Sequence, residues 1–216
     1  MKKLVIFDMD GTILYTLEDI VLCMNETLRQ YGFAPVEKEY LRAIIGNGIR
    51  NEVNHCLPSD TDDETREKVF ETFNELYGVH CGDHTGPYEG IPELLERLKE
   101  KGYRTAVVSN KGDYAVRELV KQYFNGLLEI AAGEREGIRR KPAPDMVFEA
   151  VKACGVAIAE AVYVGDSEVD IETAGQAGMD CILVTWGYRS EAFLKEHGAK
   201  VLVSDMAALE AAIAAM

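Results

Sequence analysis

The sequence predicts an α/β fold: a Rossmann-like, doubly wound parallel sheet as the core, with an all-α cap domain inserted into it. Three observations predict it. Short, continuously apolar, β-branched segments alternate with amphipathic helical patterns. One long span, from about residue 15 to 84, carries helical patterns and no convincing strand. Polar residues stand where the apolar segments end, as they do where an open α/β sheet gathers its ligands.

The strand segments are Leu4–Phe7, Thr105–Val108, Ala161–Val164, Cys181–Val184 and Lys200–Val203, with "LLEIAAG" near residue 130 a weaker one. Their unbroken apolarity suits parallel strands covered on both faces. Between them, Pro92 opens a helical pattern with Leu94, Leu95 and Leu98 on one side, closed by Gly102. Asp113 can cap a second, and Pro144 opens a third that Gly155 closes. Strand, helix and strand in succession imply right-handed crossovers. In the insertion, Thr16 can cap a helix bearing Leu17, Ile20, Val21, Met24 and Leu28, and three further apolar patterns follow. Residues 1–14 and 85–216 thus form the expected core, and 15–84 the expected helical cap.

The chain of 216 residues is 47% hydrophobic, enough for a sizeable interior. Its net charge of −14 argues against nucleic acid and anionic membranes as partners. The five cysteines are odd in number and form no C-x-x-C, which reads as reduced thiols in a cytoplasmic protein. The apolar run after Lys2 and Lys3 is too short for a signal peptide or a membrane span.

The polar stations carry the chemistry. The first strand delivers Asp8 and Asp10, whose spacing of two turns both carboxylates to one side of an extended chain. The second delivers Ser109 and Asn110 in "VVSNKGD", and the strand Ala161–Val164 delivers Asp166 and then Asp170 in "GDSEVD". Lys141 precedes a stiff loop, "KPAPD". Clustered carboxylates require a cation or a shared proton, and three hard oxygen donors suit Mg²⁺. Lys141 and the Ser109 hydroxyl complement a phosphate, while Gly11, Thr12 and Asn110 supply loop amides able to point at one.

With these motifs in place, the chain resembles the haloacid dehalogenase superfamily of phosphohydrolases. "DMDGT", "SN" after an apolar strand, the lysine of "KPAPD" and "GDSEVD" match its four motifs, and the resemblance spans the whole chain. "DGTILYTLEDI", the Gly-x-Gly of "IIGNGIRN" and "VGDSEVDIETAGQAGM" resemble its phosphoglycolate phosphatase-like branch. The resemblance implies that Asp8 is the nucleophile and forms an aspartyl-phosphate. It implies that Asp10 is the general acid and then the base. Asp8, the main-chain carbonyl of Asp10, and Asp166 would hold Mg²⁺. Ser109, Asn110 and Lys141 would bind the phosphoryl group, with Asp170 orienting Lys141 or the metal's water from behind. Tyr15 departs from the pattern, since relatives often carry Asp there.

The expected activity is hydrolysis of a small phosphorylated metabolite, 2-phosphoglycolate or a similar ester, by a monomer or homodimer. Pyrophosphate hydrolysis, sugar-phosphate hydrolysis and phosphosugar mutation are alternatives within the superfamily. A phospho-accepting regulatory domain is an alternative outside it, disfavoured by chain length and by the insertion. The insertion is expected to act as a lid, with Asn47 and Arg50 of "IIGNGIRN" reading a substrate carboxylate.

Overall fold

The computed structural model describes residues 1–216. Its main sheet has six parallel strands: β1 (Leu4–Phe7), β4 (Arg104–Gly112), β5 (Ile130–Glu134), β6 (Ala161–Gly165), β7 (Asp180–Val184) and β8 (Leu202–Val203). Their order across the sheet is β5-β4-β1-β6-β7-β8. The chain first winds outward from β1 through β4 to β5, then returns to the other side of β1 for β6, β7 and β8. That reversal puts the topological switch point at the carboxyl end of β1, between β4 and β6.

Alternation explains why the strands read as apolar throughout. Val5 and Phe7 of β1 pack into one hydrophobic layer, Leu4 and Ile6 into the opposite one. The Leu4 and Ile6 side is covered by α7 (Asp145–Ala153) and α8 (Glu168–Ala177), through Met146, Val147, Ala150 and Ala174. The other side is covered by α5 (Ile91–Glu100), α6 (Asp113–Tyr123) and α10 (Met206–Ala214), through Leu94, Leu95, Val116, Leu119 and Leu209. A short helix α9 (Glu191–Glu196) lies between β7 and β8.

Four helices separate β1 from β4 in sequence: α1 (Leu17–Gln30), α2 (Lys38–Ile44), α3 (Ile49–Cys56) and α4 (Asp63–His80). Their buried side chains, among them Met24, Leu28, Leu41, Val53 and Phe73, belong to the same apolar cluster as Val5 and Phe7. The insertion is therefore seated on the sheet's carboxyl end. Two very short antiparallel strands, β2 (Leu14–Tyr15) and β3 (Gly86–Pro87), zip its entering and leaving segments together.

Local details differ from the expectations in instructive ways. Thr16 does precede α1, but its hydroxyl donates to Asp10 Oδ1 at 2.6 Å and makes no bond to the helix. Asp113 is the first residue of α6, not its cap, and its carboxylate accepts the Gly133 N–H at 3.0 Å, clipping α6 to β5. The second long strand continues past Val108 to Gly112, which makes Ser109 and Asn110 part of it. All five cysteines are unpaired, four of them buried. No helix is long and apolar enough to cross a membrane.

Candidate active site

Four chain segments meet at the switch point, each for a local reason. Asp8 is the first residue beyond β1, and its N–H still donates to Val164 of β6. The chain then turns: Gly11 takes φ 85°, in the left-handed region that favours glycine. A side chain at Gly11 would also collide with the Asp166 carboxylate, as would one at Gly187. Two glycines thus leave the room that Asp166 occupies.

Lys141 is the hub. The residue is buried, and its ammonium lies 2.7 Å from Asp8 Oδ1 and 2.9 Å from Asp170 Oδ1, and donates to the Tyr163 hydroxyl at 3.1 Å. Burial opposes its charge, but Asp170 and Asp8 carry its pKa well above the ordinary lysine value. Asp170 Oδ2 accepts the N–H groups of Asp166 and Ser167, both at 3.1 Å, and the Ser167 hydroxyl at 2.7 Å. Asp170 therefore braces both the lysine and the loop that bears Asp166. Asp166 in turn accepts the Thr12 hydroxyl at 3.2 Å and the Tyr188 N–H at 2.6 Å.

Carboxylate oxygens of Asp8, Asp166 and Asp170 lie within 4.8 Å of one another. Asp170 serves four donors, against one per oxygen on Asp166 and the single Lys141 ammonium on Asp8, so Asp8 and Asp166 keep the most lone pairs to spare. Burial pushes Asp166 up to about 7, with Asp170 adding to the rise. Burial likewise lifts Asp8 well above the usual carboxylate range against the pull of Lys141. Buried, crowded, all-oxygen donors of this kind fit a hard divalent cation such as Mg²⁺, which binds through few protein groups.

Asp10 is held by partners of its own. Besides Thr16, its Oδ1 has Lys111 Nζ at 3.0 Å, and its Oδ2 accepts the Ser109 hydroxyl at 3.5 Å. Burial works against the Lys111 charge, but Asp10 holds its pKa above the ordinary value. Lys111 also donates to the Tyr77 hydroxyl of α4 at 2.6 Å. Asn110 ties loops together: its Oδ1 accepts the Lys141 N–H at 2.7 Å, and its Nδ2 donates to the carbonyls of Lys141 and Gly46, both at 2.9 Å.

The inserted helices roof the site. Arg189, after β7, donates to the carbonyls of Arg42 at 2.9 Å and Ile45 at 3.1 Å, and is held by Glu168 at 2.9 Å. Beneath this roof, Asp8, Asp10, Lys111 and Lys141 face Ile45, Ile49 and Glu52 across a cavity of about 20 Å³, room for about one water.

The structure brings together Asp8, Asp10, Gly11, Thr12, Ser109, Asn110, Lys141, Asp166 and Asp170. It does not bring Arg50 to them. On helix α3, Arg50 stacks over the Phe70 ring at 3.8 Å and donates to Glu67 at 3.0 Å, on the solvent side. Asn47 does not line the cavity. Helical spacing explains the difference: turning Ile49 and Glu52 inward turns Arg50 outward. Lys111, Tyr188 and Arg189 went unread in the sequence. For Lys111 a signal existed, because it follows Ser109 at the period of an extended strand, as Asp10 follows Asp8.

The profile of the haloacid dehalogenase-like hydrolases matches residues 5–184. A phosphoglycolate phosphatase of Aquifex aeolicus is 32% identical over 191 residues, covering 86% of this chain and 86% of its own. One from Neisseria meningitidis serogroup A is 32% identical over 204 residues, covering 90% and 85%. A crystal structure from Lactobacillus delbrueckii subsp. bulgaricus, provisionally described as a phosphoglycolate phosphatase, superposes with a TM-score of 0.94 at 41% identity, over 99% of both chains.

Proposed function

Since this chain belongs to the haloacid dehalogenase-like hydrolases, we propose that it is a Mg²⁺-dependent phosphomonoesterase working through an aspartyl-phosphate on Asp8. The observation that carries this reading is the placing of Asp8: at the switch point, touching Lys141, clustered with Asp166 and roofed by the insertion.

In this reading the phosphoryl group lies between Asp8 and the donors Ser109 and Lys141. An Asp8 oxygen forms a bond to phosphorus as the bond to the leaving oxygen breaks. Asp10 gives its proton to that oxygen. Asp10 then takes a proton from water as the water attacks phosphorus, which releases phosphate and restores the Asp8 carboxylate. Splitting the hydrolysis this way replaces one hard step by two easier ones. Lys141 offsets the charge that spreads over the phosphoryl oxygens. Asp8, Asp166 and the main-chain carbonyl of Asp10 would hold Mg²⁺, which supplies further charge neutralisation there. Asp170 keeps Lys141 aimed.

Residues 15–84 act as the lid. The cavity has room for about one water beneath Ile45, Ile49 and Glu52, so the roof would lift to admit a phosphate ester. Closure then excludes water from the reacting groups. The relatives named phosphoglycolate phosphatase make 2-phosphoglycolate the first ester to assay. Wild-type protein with Mg²⁺ is expected to turn over a chromogenic phosphate ester many times. A chelator and Asp8→Asn should each remove that turnover, by roughly a thousandfold or more for the substitution. Turnover by Asp8→Asn equal to wild type would refute the nucleophile.

A further inference from the structure

Glu52 is a cavity-lining residue that the chemistry so far leaves idle. It sits on α3, 5% exposed, and faces Asp8, Asp10 and Lys111 across the cavity. Its Oε1 accepts the Gly46 N–H at 3.1 Å, which fixes the side chain. Its Oε2 accepts no hydrogen bond from the protein. Around it, the roof presents the apolar side chains of Ile45, Ile49 and Phe73. Glu52 lines a cavity with room for about one water, so Oε2 is left to accept from whatever the closed lid holds, a water or a substrate group.

The direction of the substrate decides which donor. With phosphorus at Asp8 and the leaving oxygen at Asp10, the far end of the leaving group points at the roof, between Lys111 and Glu52. At about pH 8, where Glu52 is mainly ionised, a carboxylate there suits Lys111 but meets the Glu52 carboxylate with no proton between them. An ammonium suits Glu52 but meets Lys111. A hydroxyl satisfies both, donating to Glu52 and accepting from Lys111.

We propose that Glu52 determines specificity, selecting small phosphate esters whose leaving group ends in a hydroxyl over those that end in a carboxylate. The assignment rests on the Asp8 reading above and refines its substrate class. It makes 2-phosphoglycolate a poorer substrate than a hydroxyl-ended ester of the same length. Burial pushes the Glu52 carboxyl up to about 7, with Asp10 adding to the rise. At about pH 8 it is therefore mainly an acceptor.

The matched pair 2-hydroxyethyl phosphate and 2-phosphoglycolate tests the assignment, assayed with Mg²⁺ at about pH 8 on wild type, Glu52→Gln and Glu52→Leu. Wild type is expected to favour the hydroxyl ester in kcat/KM. Glu52→Gln removes the charge and offers N–H donors, so the ratio of the two kcat/KM values should fall by about tenfold or more, mainly through KM for phosphoglycolate. Glu52→Leu should lower the ratio too, by losing the hydroxyl's acceptor. A variant that merely folds poorly lowers both esters together and leaves the ratio alone. A ratio unchanged in both variants, or a wild-type preference for phosphoglycolate, overturns the role of Glu52 while leaving the phosphatase reading intact. Turnover of the chromogenic ester but of neither test ester overturns the role of Glu52 alone, and turnover of none of the three overturns both.

Discussion

Glu52 and Lys141 are both buried charged residues, and their surroundings treat them in opposite ways. Lys141 has two carboxylates and a phenol within 3.1 Å, so its charge is favoured in the folded protein. Glu52 has one backbone N–H, and burial lifts its pKa from 4.5 to about 7. The folded state therefore binds the Glu52 proton more tightly than the unfolded chain does. Stability tied to that proton is fully present below about pH 4.5 and is lost as pH rises through about 7. The loss is roughly 3 kcal/mol at most, since lifting the roof lets the carboxylate reach water. Glu52→Gln keeps an acceptor for Gly46 and removes the ionisation. Denaturant melts should show the variant more stable than wild type at about pH 8 and little different at about pH 5. An equal difference at both values would mean that Glu52 is not buried in solution as it is here.

At the scale of elements, the lid proposed for residues 15–84 would depend on a hinge and a latch. The hinge is the β2–β3 pair, where Tyr15 packs edge-on against Tyr88 at 6.2 Å and Tyr188 at 6.5 Å. The buried Asp19 carboxylate strengthens it by accepting the N–H groups of His84 at 3.0 Å and Thr85 at 2.8 Å. The latch is Arg189, which offers a planar fork to two roof carbonyls. Arg189→Ala should raise amide exchange in α2 and α3 and lower kcat/KM by about tenfold, because two carbonyls lose charge-assisted bonds. Unchanged exchange there would remove the latch. Much of this scale was legible in the sequence. Strands buried on both faces announce themselves as apolar runs, and α1 to α4 as a helical period. Strands β2 and β3 did not, because two residues carry no alternation. Arg189 did not either, because its carbonyl partners lie 144 and 147 residues away and a main-chain acceptor leaves no mark in side-chain type. Arg50 misled for the converse reason: a guanidinium two residues past a Gly-x-Gly turn looks like an anion reader until the rotation of α3 is known.

The whole molecule reconciles a net charge of −14 with a site meant for phosphate. The two lysines at the site are buried and surrounded, Lys141 by Asp8 and Asp170, Lys111 by Asp10. Their charges thus act locally, across a few ångströms of low dielectric, while the acidic surface repels larger polyanions. The doubly wound topology converges Asp8, Ser109, Lys141 and Asp166 from segments far apart in sequence, which is why their meeting was legible from where the strands end. The central claim is that phosphoryl transfer passes through Asp8. Acid quenching during turnover of a phosphate-labelled ester tests it most directly. The account predicts acid-stable label on wild type, more label on Asp10→Asn, whose phosphoenzyme forms but hydrolyses slowly, and none on Asp8→Asn. Label of equal amount on Asp8→Asn, or turnover with no labelled protein in wild type and Asp10→Asn alike, would contradict it.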